Sequence, residues 1–227
     1  MKKIVFLFSV VLFFSCQDKV EKLPIYGMSI LDSPLGPDTI FDPVPNFEFT
    51  NQMGNKVTNE TFKGNVFVAD FFFTSCPGIC PVMTRNMLKV RDVYPDEIKL
   101  ISHSIDPKRD TVQKLNAYAK KIGIEDAKQW HFVTGEKKEI SRMADSYMIL
   151  AYEDSTVSGG FEHGGQFVLV DKQQMVRGFY DGLDEVLQKE DIFVHLYGKK
   201  QTKPFRKMGH ITITGDNIKE VLAKANE

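Results

Sequence analysis

The stretch NVFVADFFF, residues 65–73, sets the strongest limit on how this chain can fold. Its Val and Phe residues follow one another almost without a polar break, and the one charge within it is Asp70. A strand with one wet face alternates apolar and polar residues. An unbroken β-prone run reads instead as a strand covered on both faces. The next residues, TSCPGICP (74–81), place Cys76 and Cys80 straight after that strand. Pro81 suits the first turn of a helix, and VMTRNMLKVRDVY continues it with apolar residues at roughly helical spacing.

The rest of the chain keeps changing period. NFEFTNQMGNKVTNETF (46–62) alternates around a Met-Gly-Asn turn, as a hairpin does. IKLISHSI (98–105) predicts a strand, and RDTVQKLNAYAKKIG (109–123) an amphipathic helix stopped by Gly123. WHFVTG predicts a strand, the residues near 136–147 a short helix, and GQFVLVD with MVRGFYD a closing hairpin. Strands alternating with helices predict an α/β domain with a central mixed sheet and an N-terminal hairpin extension. That order matches a thioredoxin-like fold, in which Cys76 and Cys80 stand where the first main strand hands over to its helix. No internal repeat is present.

The chain of 227 residues has room for one ordinary domain with extensions. Its net charge of -1, without a basic block, implies no nucleic-acid partner. The first sixteen residues, MKKIVFLFSVVLFFSC, join Lys2 and Lys3 to an apolar run too short to span a bilayer, which reads as a secretory signal peptide. A cysteine directly after the run resembles a bacterial lipoprotein cleavage site. It implies that Cys16 becomes the lipidated first residue of an exported protein, anchored on the periplasmic side of a bacterial cell membrane. Residues 17–40 are mixed in charge and broken by Pro and Gly, and read as a tether that merges into the domain edge.

With Cys16 assigned to lipid, only Cys76 and Cys80 remain. They close too small a loop to gain much as a structural staple, so a working pair is the better reading. A helix N-terminus favours thiolate, which disulfide exchange and metal binding both need. A four-residue step along a helix puts both sulfurs on one face, where they can meet each other or share one ion. Two thiolates select soft ions, chiefly Cu(I) and Zn(II). A structural zinc site takes four ligands, whereas Cu(I) is satisfied when one imidazole joins the pair. The five histidines are His103, His131, His163, His195 and His210. His163 lies on a Gly-flanked loop, FEHGGQFVLVD, at the sheet edge expected to carry the cysteines, but spacing alone does not choose it over His103. Met83 and Met87, one helical turn apart, read as core, as does the aromatic run 71–73.

VFVADFFFTSCPGICPVMTRNM, followed by SHSIDPKRDT, WHFVTG and EHGGQFVLVDKQQMVRGFYDG, resembles the Sco/SenC family of copper chaperones over about residues 40–182. The resemblance implies a thioredoxin-like fold and a copper site made by Cys76, Cys80 and His163. It also implies delivery of copper to the copper-binding subunit of cytochrome c oxidase, at its CuA centre. Its alternative is a thiol–disulfide oxidoreductase, with Cys76 and Cys80 as the redox pair, reducing the cysteines of that centre. The family's Asp-Pro-x-Arg-Asp element appears as Asp106, Pro107, Arg109 and Asp110, and Glu162 stands where Asp is common before the ligand histidine. Asp106 is a candidate to tune the charge beside the cysteines, or else to cap a helix beginning near Arg109.

Beyond Gly182 the likeness changes. VHLYGK and KPFRKMGHITI resemble the C-terminal part of carboxyaminoimidazole ribonucleotide synthase, an ATP-grasp enzyme, with Lys199, Arg206 and Lys207 at its substrate-site positions. The sequence shows no ATP-binding body of that enzyme, and its cytosolic chemistry conflicts with an export signal. Residues 183–227 are therefore expected to be a chimeric or fused tail without retained activity.

Overall fold

The computed structural model describes residues 23–33, 36–157 and 159–184, together with two strands at 192–196 and 209–213. Cys16, Lys199, Arg206 and Lys207 lie outside the described residues. A short hairpin, β1 (Met28–Ser33) with β2 (Gly36–Phe41), comes first. It lies inside the segment expected to be a tether. Backbone and side-chain bonds also dock that segment on the domain: Tyr26 bridges Val176, and Arg177 donates to the Pro24 and Leu23 carbonyls. From residue 23 on, the segment thus merges into the domain edge, with a turn at Gly27 (φ +77°).

The expected N-terminal hairpin is β3 (Glu48–Asn51) with β4 (Lys56–Thr58), turning at Gly54 (φ +79°), and a single helical turn, α1 (Asn59–Phe62), follows. The apolar run forms β5 (Val66–Phe72), and α2 (Cys80–Val93) leaves the cysteine loop. Then come β6 (Ile98–Ser104), α3 (Val112–Lys121), β7 (Trp130–Thr134) and α4 (Lys137–Ser146). A pair of three-residue strands, β8 (Ala151–Glu153) and β9 (Phe161–His163), precedes the closing hairpin of β10 (Gln166–Val170) and β11 (Val176–Asp181). In the tail, β12 (Ile192–Leu196) pairs antiparallel with β13 (Gly209–Ile213), placing His195 opposite His210.

Seven strands make one mixed sheet in the order β11-β10-β5-β6-β7-β3-β4. β5, β6 and β7 run parallel at its centre, and the hairpins flank them antiparallel. Strand alternation sorts the side chains to two faces. Phe72 and Phe132 meet Tyr118 of α3 at 5.5 and 5.7 Å, and the Tyr118 hydroxyl bonds Thr84 of α2 at 2.8 Å. On the other face Phe71 and His103 stack 5.0 Å apart beneath Tyr147, and Phe62 of α1 packs 4.7 Å from Phe67. Both faces of β5 are covered, as its composition predicts. Met83 and Met87 are 1% and 0% exposed, in the core.

Candidate metal centre

Strand β5 ends at Phe72, and the chain turns through Thr74–Ile79 before α2 begins at Cys80 itself. Ile79 offers no side-chain cap, and Pro occupies the first turn, so the positive end of the helix is left to the thiols. The turn is held from below. Asp110, wholly buried, accepts from the Thr74 N–H at 2.9 Å, from the Thr74 hydroxyl at 2.5 Å and from the Ser104 hydroxyl at 2.6 Å. Cys76 is half-buried and Cys80 buried, and both thiols are free.

His163 reaches the pair from the end of β9. The ligand atoms of Cys76, Cys80 and His163 all lie within 4.8 Å of one another, and His163 Nε2 stands 3.3 Å from Cys80 Sγ. His163 Nδ1 sits 3.3 Å from the Gly164 carbonyl. A proton on Nδ1 bonded to that oxygen leaves the Nε2 lone pair facing the sulfurs, the usual support for an imidazole that ligates a metal. Gly159 (φ +96°) lies so close to the cysteine loop that a Cβ there would fall 2.9 Å from the Phe73 ring and 3.2 Å from Pro77. After His163, Gly165 accepts at 2.7 Å from the Gly182 N–H, and Asn86 of α2 donates to the Gly182 carbonyl at 2.8 Å.

The electrostatics of the thiols are those of a pair sharing one proton. A hydrogen bond from Cys80 holds the Cys76 thiol well below its ordinary range, with the backbone N–H groups of Cys80 and Gly78 helping and burial opposing. The same bond, followed by burial, pushes Cys80 up. Cys76 is therefore the first thiolate. Behind the site, burial pushes Asp70 up to about 6, against a hydrogen bond from Ser102 and the charge of His163.

The structure separates the residues that spacing could not. His103 faces the aromatic layer, 5.3 Å from Phe49, and is wholly buried; His131 is buried beside Phe62 and Asn51. Neither joins the thiols. The helix near Arg109 starts later than expected, at Val112, and its cap is Thr111, whose hydroxyl accepts from the Lys114 N–H at 3.3 Å. Asp106 is no cap; it is buried, ion-paired to Arg109, and outside the three-donor group. Arg109, Asp110, Thr74 and Gly159 are the supporting residues that sequence reasoning missed. The Asp-Pro-x-Arg-Asp run signalled two of them without saying what they grip.

Among the described residues, no helix is long and apolar enough to cross a membrane. The SCO1/SenC family model matches residues 39–194, and that of the phosphoribosylaminoimidazole carboxylase C-terminal domain matches residues 168–224. The two matches overlap across β11 and into β12. The SCO1 protein homolog of Bacillus subtilis (strain 168) is 32% identical over 157 residues, which are 66% of this chain and 81% of that protein. A SCO1/SenC family lipoprotein from Bacillus anthracis is 33% identical with a TM-score of 0.57, over 62% of this chain and 84% of that one. ScoI from Arabidopsis thaliana, solved with copper bound, shares the fold at 23% identity and a TM-score of 0.52, over 65% and 97% of the two chains. The fold is thioredoxin-like, and the first of these matches runs through both cysteines and His163. By that match, the chain belongs to the SCO1/SenC family.

Proposed function

We propose that this protein is an envelope copper chaperone that holds copper between Cys76, Cys80 and His163 and delivers it to the copper-binding subunit of cytochrome c oxidase, at the CuA site. The observation that carries the reading is the convergence of two thiols and one imidazole, distant in sequence, within 4.8 Å. The donor set is soft and has three members, which suits Cu(I) better than a four-ligand structural zinc. Cys76 is the partly exposed donor, so an incoming thiolate from the acceptor adds on that side before a chaperone ligand leaves. Copper moves by ligand exchange and is never free. Acid opposes loading, since it protonates the same donors.

A second reading has its own observation. Cys76 is free, half-buried and inclined to thiolate beside Cys80, the arrangement of a thiol–disulfide oxidoreductase acting on the oxidase cysteines. The chain from residue 17, which lacks Cys16, separates the two under reducing conditions. Stoichiometric Cu(I) retention against a competing chelator, lost in His163→Ala, supports the chaperone. No copper retention, with disulfide exchange unchanged in His163→Ala, sinks it in favour of the oxidoreductase.

Cys16 is proposed as the lipid anchor, testable by acyl labelling of wild type against Cys16→Ala. Residues 183–227 are proposed to carry no carboxyaminoimidazole ribonucleotide synthase activity. ATP turnover with that substrate by the purified chain would overturn this.

A further inference from the structure

The turn at 106–110 touches both halves of the proposed copper site. Asp106 accepts backbone bonds from Arg109 and Asp110 at 3.0 and 2.9 Å, so its two ends are held in one rigid loop. From this loop Asp110 grips the cysteine segment through Thr74. Arg109 points the other way, to the β8–β9 hairpin that ends in His163. Its Nη2 donates to the Gly159 carbonyl at 3.2 Å, and its guanidinium lies 5.6 Å from the Phe161 ring centroid. Its Nε is paired with Asp106, whose carboxylate is buried. Phe161 in turn packs 5.3 Å from Phe73, and Phe73 stands edge-on to His163 at 6.0 Å.

We infer that Arg109 is the positioning residue that sets where the His163 imidazole stands relative to the two thiols, acting through the β8–β9 hairpin without touching the ion. Among the described residues, the hairpin is also held by the Lys137–Glu153 ion pair and by Ala151 and Phe161 packing on the core, but only Arg109 ties it to the turn that grips the cysteine segment. The hairpin's strands are three residues each, and the residues between them close their own turn through Asp154, Val157 and Gly160. One guanidinium makes three different contacts here: a carboxylate, a backbone carbonyl and a ring face. Only a planar fork with several donors does all three at once, so lysine is not an equivalent. The division of labour follows. Asp110 sets the thiols, and Arg109 sets the third ligand.

This inference rests on the copper-site reading for its function but not for its structural content, and the test keeps the two apart. Full chains carrying Arg109→Gln, Arg109→Lys, His163→Ala and Arg109→Gln with His163→Ala are compared, with Lys108→Gln as a control for loss of an exposed positive charge. In copper-free protein, amide exchange in residues 151–163 should quicken in Arg109→Gln while β5 and the first turns of α2 stay protected. Cu(I) affinity should fall about 10-fold in Arg109→Gln, less in Arg109→Lys, and not at all in Lys108→Gln. The double variant should bind no more weakly than His163→Ala alone, because Arg109 acts only through that imidazole. Unchanged hairpin exchange in Arg109→Gln overturns the inference. So does a double variant whose losses simply add. If His163→Ala itself keeps full copper affinity, the copper-site reading falls, and the copper-free exchange still decides whether Arg109 fixes the hairpin.

Discussion

Replacing His103 with Phe should flatten the acid sensitivity of this fold. His103 has no exposed surface, stacks on Phe71 at 5.0 Å, and neither ring nitrogen has a hydrogen-bond partner among the described residues. Its neighbours are Phe47, Phe49, Phe71 and Tyr147, so burial alone acts on it and pulls its pKa down to about 3. In the unfolded chain the imidazole takes a proton below about pH 6.5, while in the folded chain it stays neutral. The unfolded state therefore binds the extra proton. The stability tied to this residue is full above about pH 6.5 and drains away toward about pH 3. At about pH 5 the loss is RT ln(1 + 10^1.5), about 2 kcal/mol. Phe fits the aromatic slot. Its extra volume costs about 1–3 kcal/mol and the removal of two unpaired nitrogens returns a similar amount, so absolute stability is not the readout. The readout is the difference between two pH values. Urea unfolding of reduced, copper-free protein, followed by the fluorescence of the single, buried Trp130, measures it at about pH 7.5 and about pH 5. Wild type should lose about 2 kcal/mol more than the variant over that interval. His131, also lowered by burial, contributes equally to both proteins and cancels. Equal losses in the two proteins would refute the reasoning.

Asp70→Asn should act with the opposite sign. Asp70 is raised to about 6, so its stabilising contribution is complete below about pH 3.8 and is lost as the pH climbs through about 6. The Asn variant should gain about 3 kcal/mol over wild type near pH 8, a gap that thermal melts should show closing toward pH 4. Alkylation with iodoacetamide at mildly acidic pH should modify Cys76 well before Cys80, as read by peptide mass, since Cys76 is both more exposed and the first thiolate. Gly159→Ala should cost about 1–3 kcal/mol in unfolding experiments, because its φ of +96° and the 2.9 Å approach to Phe73 both resist a methyl group. The same variant should weaken Cu(I) retention, and full retention with wild-type stability would count against the tight packing described.

Much of this architecture is legible because its signals are periodic. The run at 65–73, Pro81 at the first turn of α2 and the alternation of QFVLV against VRGFYD are local patterns, and each became the element expected. The place of the two thiols, between β5 and α2, was legible for the same reason. The β8–β9 hairpin was not, since AYE and FEH are three residues each, with no period to read. The choice between His103 and His163 needed the sheet register: Phe71 pairs with His103, which commits that ring to the aromatic face. The role of Asp106 escaped because Asp is a good cap and the helix was expected near Arg109; the ion pair with Arg109 and the later start of α3, capped by Thr111, remove that reading.

The docking of residues 23–26 on β11 has a consequence for reach. Tyr26 bridges Val176 at one end of that strand, while Gly182, just past the other end, bonds Gly165 beside His163. The six residues of β11 separate the two ends by about 20 Å. If Cys16 carries lipid, the chain from there to Leu23 can extend by about 25 Å at most. The site would then lie within about 45 Å of the bilayer surface, which bounds how far from that surface an acceptor can take up its cargo.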